Sequence, residues 1–358
     1  MRLLRLVARG FRNLAPLEIE VPAEGVALLG ANGAGKTNLL EAIYYPVLFR
    51  SFRGAPDIEV ARFGGEGFRV EVEFGAGSRP GRAAASWTPA GREKRLFIDD
   101  EPVKTVAEGA GRWLAVAFLP ADTGLAGGPP TERRHYLDRM LALADAGYLR
   151  ALARYRQGIT RRNAALRRGD FKGAQAFEGA IATAGAAVVA ARLRWVADEG
   201  GGFAREFAGL GERSEAGLGY VGTPALADPG AWSEAFQGAR ARDQERGTTS
   251  VGPHRDDLKL TLDGRLLGRY GSTGQQRSAA IALKLLELGT LRRARGEEPA
   301  LILDDVFAEL DTDRQERLAD RLTGGGVRQS LVSSPRREEL PKALKLDVWE
   351  VEGGAVRR

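Results

Sequence analysis

The sequence predicts an α/β protein whose two strand-rich ends enclose a helical middle. Short apolar runs that alternate with polar residues fill residues 3–29 and recur after residue 250, as strands require. Residues 131–199 contain no proline and are rich in Ala, Leu and Arg, which is a helical composition. We therefore expect a head made of residues 1–122 and 251–358, with a mainly α-helical lobe, residues 123–250, inserted into it.

The composition fits a chain with a sizeable apolar core. The 358 residues are 43% hydrophobic and include no cysteine and two histidines, which excludes a disulfide framework and a thiolate zinc site. Arginines interrupt the first 14 residues, unlike the apolar segment of a signal peptide. No run approaches the roughly 18–20 consecutive apolar residues that a membrane span needs. We expect a cytoplasmic protein that does not cross a membrane.

The N-terminal segment is predicted to alternate between strands and a helix. Val26–Leu29 is a dense apolar run that indicates a buried strand. A helix is expected at Asn38–Tyr45, and Pro46 should end it because proline lacks an amide N–H. Two further strands and a hairpin turn are expected at Phe68–Phe74, Arg95–Ile98 and Asp99–Asp100, in that order.

The C-terminal segment should return to the same alternation after the helical middle. Gly200–Gly202 is expected to interrupt the helices. Asp263–Gly264 is typical of a tight hairpin turn, because both residues tolerate positive φ. The predicted elements are strands at Leu258–Leu262 and Leu266–Tyr270, a helix at Gln275–Arg293, a strand at Ala300–Leu303, a helix at Thr312–Leu322, and strands at Gln329–Val332 and Leu346–Val351.

A phosphate-binding loop follows the first buried strand. Its sequence matches the Walker A pattern GxxxxGK[ST] between a strand and a helix. Backbone N–H groups of such a loop surround the β-phosphate, Lys36 can bridge the β- and γ-phosphates during catalysis, and the Thr37 hydroxyl can bind Mg²⁺. ATP and Mg²⁺ are therefore the expected ligands. The nucleotide-binding residues are Gly30, Ala31, Asn32, Gly33, Ala34, Gly35, Lys36 and Thr37.

A second motif places two carboxylates after the apolar strand Leu301–Leu303. Asp304 and Asp305 match a Walker B element, which needs an oxygen ligand near the metal at the strand's carboxyl end. We expect Asp304 to bind Mg²⁺ and Asp305 to orient or deprotonate the attacking water. Paired acids could instead cap the following helix.

The helix that precedes the Walker B strand begins with Ser272-Thr273-Gly274-Gln275. A serine at a helix N-terminus is ordinarily an N-cap. Its place about thirty residues before a Walker B strand resembles the signature motif of ABC-type ATPases. That resemblance implies that Ser272, Gly274 and Gln275 touch the γ-phosphate held by a partner subunit, and that Glu309-Leu310-Asp311 is a D-loop.

The intervening sequence resembles the RecF family. The matching segments are Arg50-Ser51-Phe52-Arg53, Arg133-Arg134, Leu137-Asp138, Arg162-Asn163-Ala164-Ala165-Leu166, Gly252-Pro253-His254-Arg255 and Asp257, which together span nearly the whole chain. The resemblance implies an ABC-ATPase head with an inserted helical lobe, an ATP-dependent homodimer, and DNA binding. It also implies recombinase loading at gapped or damaged DNA with other recombination mediator proteins.

Three positions depart from the usual ABC pattern. Asp305 stands where most ABC ATPases have glutamate, and its shorter side chain suggests slow hydrolysis. No clear Q-loop glutamine is visible near Pro120-Ala121-Asp122. Ser333-Ser334 occupies the usual place of a switch histidine.

Arginine dominates the basic residues, since only eight of the 53 are lysine and the net charge is +6. One predicted helical stretch carries Arg150, Arg154, Arg156, Arg161, Arg162, Arg167 and Arg168. Among them, Arg154, Arg161, Arg162 and Arg168 are candidate DNA-binding residues, because guanidinium groups match phosphate oxygens. A solvated helix face, or a coding bias toward Gly, Ala and Arg, would give the same pattern.

The function predicted from these features is an ATP-switched, DNA-binding repair protein with a weak DNA-stimulated ATPase activity. An ABC-type subunit of a transporter is the alternative, and it predicts a membrane partner and a shorter helical subdomain. A chromosome-structural SMC-type protein would need coiled-coil arms of hundreds of residues, for which the helical middle is too short. For His254-Arg255, a structural role is favoured over nucleotide sensing.

Overall fold

The computed structural model of the chain describes residues 1–76, 79–324 and 329–358. The chain forms two compact units, Met1–Asp122 with Glu287–Arg358, and Thr123–Leu286. The first boundary lies after Asp122. The second lies at residue 286 rather than 250, because Leu258, Leu260 and Ala282 pack into the apolar core of the second unit.

Fifteen strands and twelve helices are described within these ranges. The strands are β1 (Arg2–Arg9), β2 (Leu17–Glu20), β3 (Gly25–Leu29), β4 (Phe68–Ala76), β5 (Arg79–Thr88), β6 (Glu93–Ile98), β7 (Glu101–Val103), β8 (Ala115–Phe118), β9 (Ala216–Val221), β10 (Asp257–Leu262), β11 (Arg265–Leu266), β12 (Ala300–Asp304), β13 (Ser330–Ser334), β14 (Asp347–Glu352) and β15 (Ala355–Arg357). The helices are α1 (Lys36–Leu48), α2 (Asp57–Val60), α3 (Val106–Gly109), α4 (Gly124–Gly127), α5 (Pro130–Ala144), α6 (Ala146–Arg167), α7 (Phe171–Ala176), α8 (Glu178–Gly209), α9 (Trp232–Arg246), α10 (Leu267–Tyr270), α11 (Thr273–Arg295) and α12 (Thr312–Gly324).

A six-stranded, mainly parallel sheet forms the centre of the first unit. Its order is β15-β14-β3-β13-β12-β8, and only β15 pairs antiparallel. Strands β8, β12 and β13 are buried along their whole length, as expected for parallel strands covered on both faces. Because parallel strands end at the same edge, β3, β12 and β13 bring residues 30–37, 304–305 and 333–334 to one side of the sheet.

A second six-stranded sheet, β2-β1-β4-β5-β6-β7, is antiparallel throughout and completes the first unit. Asp99 and Asp100 form the turn between β6 and β7 with φ values of 50° and 68°, so the predicted hairpin turn is confirmed. The α/β class and the strand-rich character of this part of the chain are confirmed as well.

Helix α1 is longer than predicted at both ends. Pro46 lies inside its last turn, and the helix continues to Leu48 before Phe49 caps it with φ 53°. Proline removes one backbone hydrogen bond, but Tyr44, Tyr45 and Val47 are at most 1% exposed. Burial of these side chains holds the helix together beyond the proline.

The second unit is mainly helical, with the small sheet β11-β10-β9. Glycines 200–202 do not break its longest helix, because α8 runs through them to Gly209 and buries Phe203 and Phe207 completely. The predicted strand Leu266–Tyr270 is also wrong: the strand ends at Leu266, and α10 follows.

Among the described helices, α8 alone is long and apolar enough to cross a membrane by composition. Half of its apolar window is buried inside the unit. Arg192 in this helix is 2% exposed and forms an ion pair with Asp138. These are the features of a core helix.

Candidate functional site

The loop at residues 30–37 joins the buried strand β3 to α1. Gly33 has φ 81° and Gly35 has φ 115°, values at which side chains other than glycine are strained. Gly35 is also the N-cap residue of α1. The sequence therefore folds this segment into a tight loop whose backbone N–H groups lie at a helix N-terminus, where anions bind.

The turn between β14 and β15 packs against this loop. The N–H of Gly354 donates to the carbonyl of Ala34 over 2.8 Å, and a Cβ atom on Gly30 would lie 2.3 Å from the carbonyl oxygen of Val351. The C-terminal hairpin therefore holds the loop in place, a contact that the sequence motifs did not predict.

Lys36 is 4% exposed and lies within the curve of the loop. Its ammonium donates to the carbonyl of Gly30 over 2.7 Å and to that of Ala31 over 3.3 Å. In contrast, Ala31, Asn32 and Gly33 are exposed. The positive charge is thus fixed beside backbone groups that solvent and a phosphate can reach.

Thr37 and Asp304 meet across the carboxyl edge of the sheet. The Thr37 hydroxyl donates to Oδ1 of Asp304 over 2.9 Å, and the Ser333 hydroxyl donates to the same oxygen over 2.7 Å. Asp304 is 3% exposed. Burial raises the pKa of Asp304 above its ordinary value, with hydrogen bonds from Ser333 and Thr37 opposing the effect and the charge of Asp305 adding to it.

Asp305 follows β12 with φ 51°, an uncommon conformation for a residue with a side chain. Its N–H donates to the Ser333 hydroxyl over 2.9 Å, and its Oδ1 lies 3.1 Å from the same hydroxyl. It is partly exposed, whereas Asp304 is buried. The two predicted Walker B acids therefore differ in environment, as a metal ligand and a water-facing base would.

Sequence reasoning missed a buried carboxylate next to this site. Glu41 on α1 is completely buried and accepts two hydrogen bonds of 3.0 Å from Arg12, and one from the Ser51 hydroxyl. Arg53 lies 3.7 Å from it and donates to Asn38 over 2.9 Å. A glutamate in the otherwise apolar run from Leu39 to Val47 of a helix was the available signal, because a buried charge requires partners.

The predicted signature residues lie in the second unit, at the start of α11. The Ser272 hydroxyl accepts from the N–H of Gln275 over 3.2 Å, and Oε1 of Gln275 accepts from the N–H of Ser272 over 2.9 Å. This reciprocal pair is a capping box. Ser272 is exposed, and Gly274 and Gln275 are partly exposed, so the cap faces outward.

Of the predicted DNA-binding residues, Arg162 is buried and therefore not accessible to DNA. It is 2% exposed, its guanidinium bonds to Asp243 over 2.8 Å and to Glu178 over 3.0 Å, and it lies over the Phe236 ring. These buried contacts make Arg162 a structural residue of the second unit. Arg154, Arg161 and Arg168 are exposed.

His254 contacts the buried residues Tyr155 and Thr249, whereas Arg255 is exposed. Nδ1 of His254 lies 2.5 Å from the Tyr155 hydroxyl, and its Nε2 lies 2.9 Å from the carbonyl of Thr249. Burial lowers the pKa of His254 below its ordinary value. These contacts suit a structural role for His254, and the role of Arg255 stays a prediction.

The residues in the first unit fit the ligands that the motifs predicted. A hydroxyl and a carboxylate 2.9 Å apart are hard oxygen donors, the kind that Mg²⁺ prefers. A Cβ atom added at Gly33 would meet nothing within 4 Å, so the loop is open to a phosphate. A bound Mg²⁺ would supply positive charge to neutralise phosphate oxygens.

A Walker A loop and a Walker B strand end on one parallel sheet, beside an antiparallel sheet, define a P-loop protein with an ABC-type ATPase head. A solved SMC head bound to the C-terminal winged-helix domain of ScpA agrees in fold, with a TM-score of 0.58 at 16% identity over 100% of this chain and 96% of that one.

Comparison with known proteins narrows this class to one family. The DNA replication and repair protein RecF of Anaeromyxobacter sp. strain Fw109-5 is 36% identical over 99% of both chains, and that of Frankia alni is 34% identical over 100% of both. A solved structure of the recombination mediator protein RecF-ATPrS in the RecFOR pathway matches with a TM-score of 0.89 at 26% identity, covering 99% of this chain and 97% of that one. No protein-family model matches the chain. The chain belongs to the RecF family of DNA replication and repair proteins.

Proposed function

We propose that this chain is an ATP-switched recombination mediator that binds DNA, with slow ATP hydrolysis as its timer. It acts in the cytoplasm as an ATP-dependent homodimer and, with other mediator proteins, loads a recombinase at gapped or damaged DNA. The observation that carries the proposal is the 2.9 Å contact between the Walker A hydroxyl of Thr37 and the Walker B carboxylate of Asp304, since two such oxygen atoms are suitable ligands for one Mg²⁺ ion.

Nucleotide binding is assigned to residues 30–37. The N–H groups of the loop and the Lys36 ammonium supply donors for phosphate oxygens, and Thr37 and Asp304 supply oxygen ligands for Mg²⁺. A solved RecF-ATP structure matches this chain with a TM-score of 0.89 at 25% identity, which supports ATP as the nucleotide.

Hydrolysis is assigned to Asp305. Its partly exposed carboxylate is free on one side to accept a proton from an attacking water. An aspartate reaches less far than a glutamate, so the water is held less firmly and turnover is slow. Such a rate suits a protein whose bound ATP sets how long a DNA complex lasts.

DNA binding is assigned to one face of α6. Arg150, Arg154, Arg161 and Arg168 are exposed. The first three lie on α6 and, at 100° and 1.5 Å per residue, fall within about 40° of one another over about 17 Å, and Arg168 is the C-cap residue that follows them. Over the described part of the chain, no ion pair engages their side chains. Four uncompensated guanidinium groups in a row suit a phosphate backbone.

The deciding experiment measures DNA affinity with and without ATP over a salt series. The proposal expects tighter binding with ATP and a steep loss of affinity as salt rises. An ABC-type transporter subunit, the alternative function, would show neither effect. ATP-independent binding without salt dependence would overturn the DNA-switch assignment.

A double variant localises the binding face. Replacing Arg154 and Arg161 with Gln removes two phosphate contacts and should lower the slope of log affinity against log salt by about 2. Arg167→Gln is the matched control, because this exposed arginine lies on another side of α6. If the double variant and the control keep the same slope, α6 is not the DNA-binding face.

A further inference from the structure

Ser333 occupies a central position in the parallel sheet of the first unit. On one side, β13 pairs with β12 so that Ser333 lies opposite Asp304, and on the other side it pairs with β3, opposite Leu28. The residue is 1% exposed. It therefore stands between the strand that leads into the phosphate-binding loop and the strand that carries the two acids.

The Ser333 hydroxyl contacts three polar atoms of these acids. It lies 2.7 Å from Oδ1 of Asp304 and 3.1 Å from Oδ1 of Asp305, and it accepts from the N–H of Asp305 over 2.9 Å. A serine hydroxyl has one proton and two acceptor positions. One proton is thus shared between two carboxylates, with the shorter contact to Asp304.

Asp305 needs such a support because of its backbone. Its φ of 51° belongs to a region that residues with side chains rarely adopt. The hydrogen bond from its N–H to Ser333 fixes that conformation. The contact at Oδ1 fixes the direction of the carboxylate.

We propose that Ser333 is the positioning residue for both Walker B acids, holding Asp305 in its left-handed conformation and orienting the carboxylates of Asp304 and Asp305 toward metal and water. This inference rests on the proposed ATP hydrolysis. If Oδ1 of Asp304 bound a metal ion, the Ser333 hydroxyl could donate its proton to Asp305 instead. The Ser333 side chain would then couple metal binding to the orientation of the Asp305 carboxylate.

Ser334, the next residue of β13, shows that a buried serine in this strand does not necessarily contact the two acids. Ser334 is also 1% exposed, but its hydroxyl donates to the carbonyl of Arg336 over 2.9 Å and contacts Glu339 over 3.1 Å. Those contacts serve the turn after β13. Ser334→Ala therefore removes a buried hydroxyl of equal size from the same strand without touching the two acids.

The test compares Ser333→Ala, Ser333→Thr and Ser334→Ala in the full chain. Three quantities are measured: ATP turnover, affinity for a fluorescent ATP analogue with Mg²⁺ or with EDTA, and the midpoint of thermal unfolding. We expect Ser333→Ala to lower kcat by about 10- to 100-fold and to weaken the Mg²⁺-dependent part of the affinity. Affinity in EDTA should stay at the parent value, Ser333→Thr should restore most turnover because it keeps a hydroxyl, and Ser334→Ala should turn over ATP like the parent.

Two results would overturn the inference while leaving the proposed ATPase intact. One is parent-like turnover in Ser333→Ala. The other is an equal loss of turnover in Ser333→Ala and Ser334→Ala with matching losses of thermal stability, which would reduce Ser333 to a packing residue. If the parent chain itself neither binds nor hydrolyses ATP, the proposed function fails together with the inference.

Discussion

At the scale of single residues, the site is a set of short contacts between side chains that are far apart in sequence. Thr37 and Asp304 are separated by 267 positions, and Asp304 and Ser333 by 29. The motifs identified the first pair because Walker A and Walker B have fixed residue types. The sequence marked Ser333 only as a departure from the usual switch histidine, and its contacts with the two acids depend on the register of β12 against β13.

The position of Lys36 inside the loop leads to a prediction about charge and shape. Lys36→Ala should weaken ATP binding by about 3 kcal/mol, or roughly a hundredfold, because a charge-assisted contact is lost. Lys36→Arg should keep most of the affinity and lose hydrolysis, because the planar guanidinium keeps the charge but misplaces the donors. Titration with a fluorescent ATP analogue measures the first effect, and phosphate release measures the second. Parent-like affinity in Lys36→Ala would remove the assignment of this loop to phosphate.

The variant Asp305→Asn tests whether Asp305 is the general base that accepts a proton from the attacking water. The amide keeps the shape of the side chain and can still contact the Ser333 hydroxyl, but it cannot accept a proton from water. Turnover should fall by about 10²- to 10⁴-fold while the affinity for Mg²⁺ and ATP stays close to that of the parent. Single-turnover hydrolysis and equilibrium binding are measured on the same preparation. Hydrolysis at the parent rate would show that another group activates the water.

At the scale of elements, patterns with local causes were predicted and those with distant causes were not. The turn at Asp263–Gly264 depends on two adjacent residues, which have φ values of 46° and 77°. Helix α8 continues through Gly200–Gly202 because buried Phe203 and Phe207 outweigh the poor helix propensity of glycine.

The neighbours Arg161 and Arg162 on α6 also show that features with distant causes were not predicted from the sequence. One is exposed and the other is 2% exposed, although they are chemically identical and adjacent. Their sides of α6 differ by about 100°. One of the two acids that pair with Arg162, Asp243, lies 81 positions away. Composition alone therefore could not separate the exposed arginines from the structural one.

His254 connects α6 to the segment before β10, and we expect it to make the second unit sensitive to acid. Its Nε2–H donates to Thr249, which leaves Nδ1 as an acceptor for the Tyr155 hydroxyl, so the neutral ring satisfies both contacts. Burial is the main cause of the lowered pKa of His254, and the positive charges of Arg255 and Arg134 lower this pKa further. The Thr249 carbonyl and the negative charge of Asp243 act in the opposite direction. The pKa of His254 in the folded protein lies below its unfolded value near 6.5. The stabilisation from the neutral ring is therefore fully present above pH 6.5 and is lost as pH falls from there through the folded pKa.

The expected loss of stability on acidification can be checked by urea unfolding near pH 7.5 and pH 5.5. The free energy of unfolding of the parent should fall on acidification more than that of His254→Gln, with a contribution from this group of at most about 1.4 kcal/mol per pH unit. The difference between the two proteins isolates His254 from the carboxylates, which titrate in both. Equal losses in parent and variant would show that His254 does not control the acid sensitivity.

At the scale of the whole molecule, the proposed switch requires two chains. The capping box at Ser272 lies in the second unit and faces outward, and the phosphate-binding loop lies in the first. In the proposed dimer, Ser272 of one chain approaches the γ-phosphate held by Lys36 of its partner, and a two-fold axis repeats the contact, so two sites form together. ADP lacks the γ-phosphate and should leave a monomer.

Mixing two defective variants gives the discriminating test of that dimer. Ser272→Arg places a bulky cation where a small hydroxyl has to fit, so it should block pairing while the monomer still binds ATP. Lys36→Ala should fail to pair because it binds ATP about a hundredfold more weakly and stays largely nucleotide-free at an ATP concentration that just saturates the parent. In the mixture, one composite site combines the intact Ser272 of one chain with the intact Lys36 of the other, and partial ATP-dependent dimerisation should return. Light scattering or sedimentation with saturating ATP, Mg²⁺ and DNA measures it. A parent chain that stays monomeric under these conditions, or a Ser272→Arg variant that dimerises normally, would rule out the composite site and leave Ser272 as a helix cap alone.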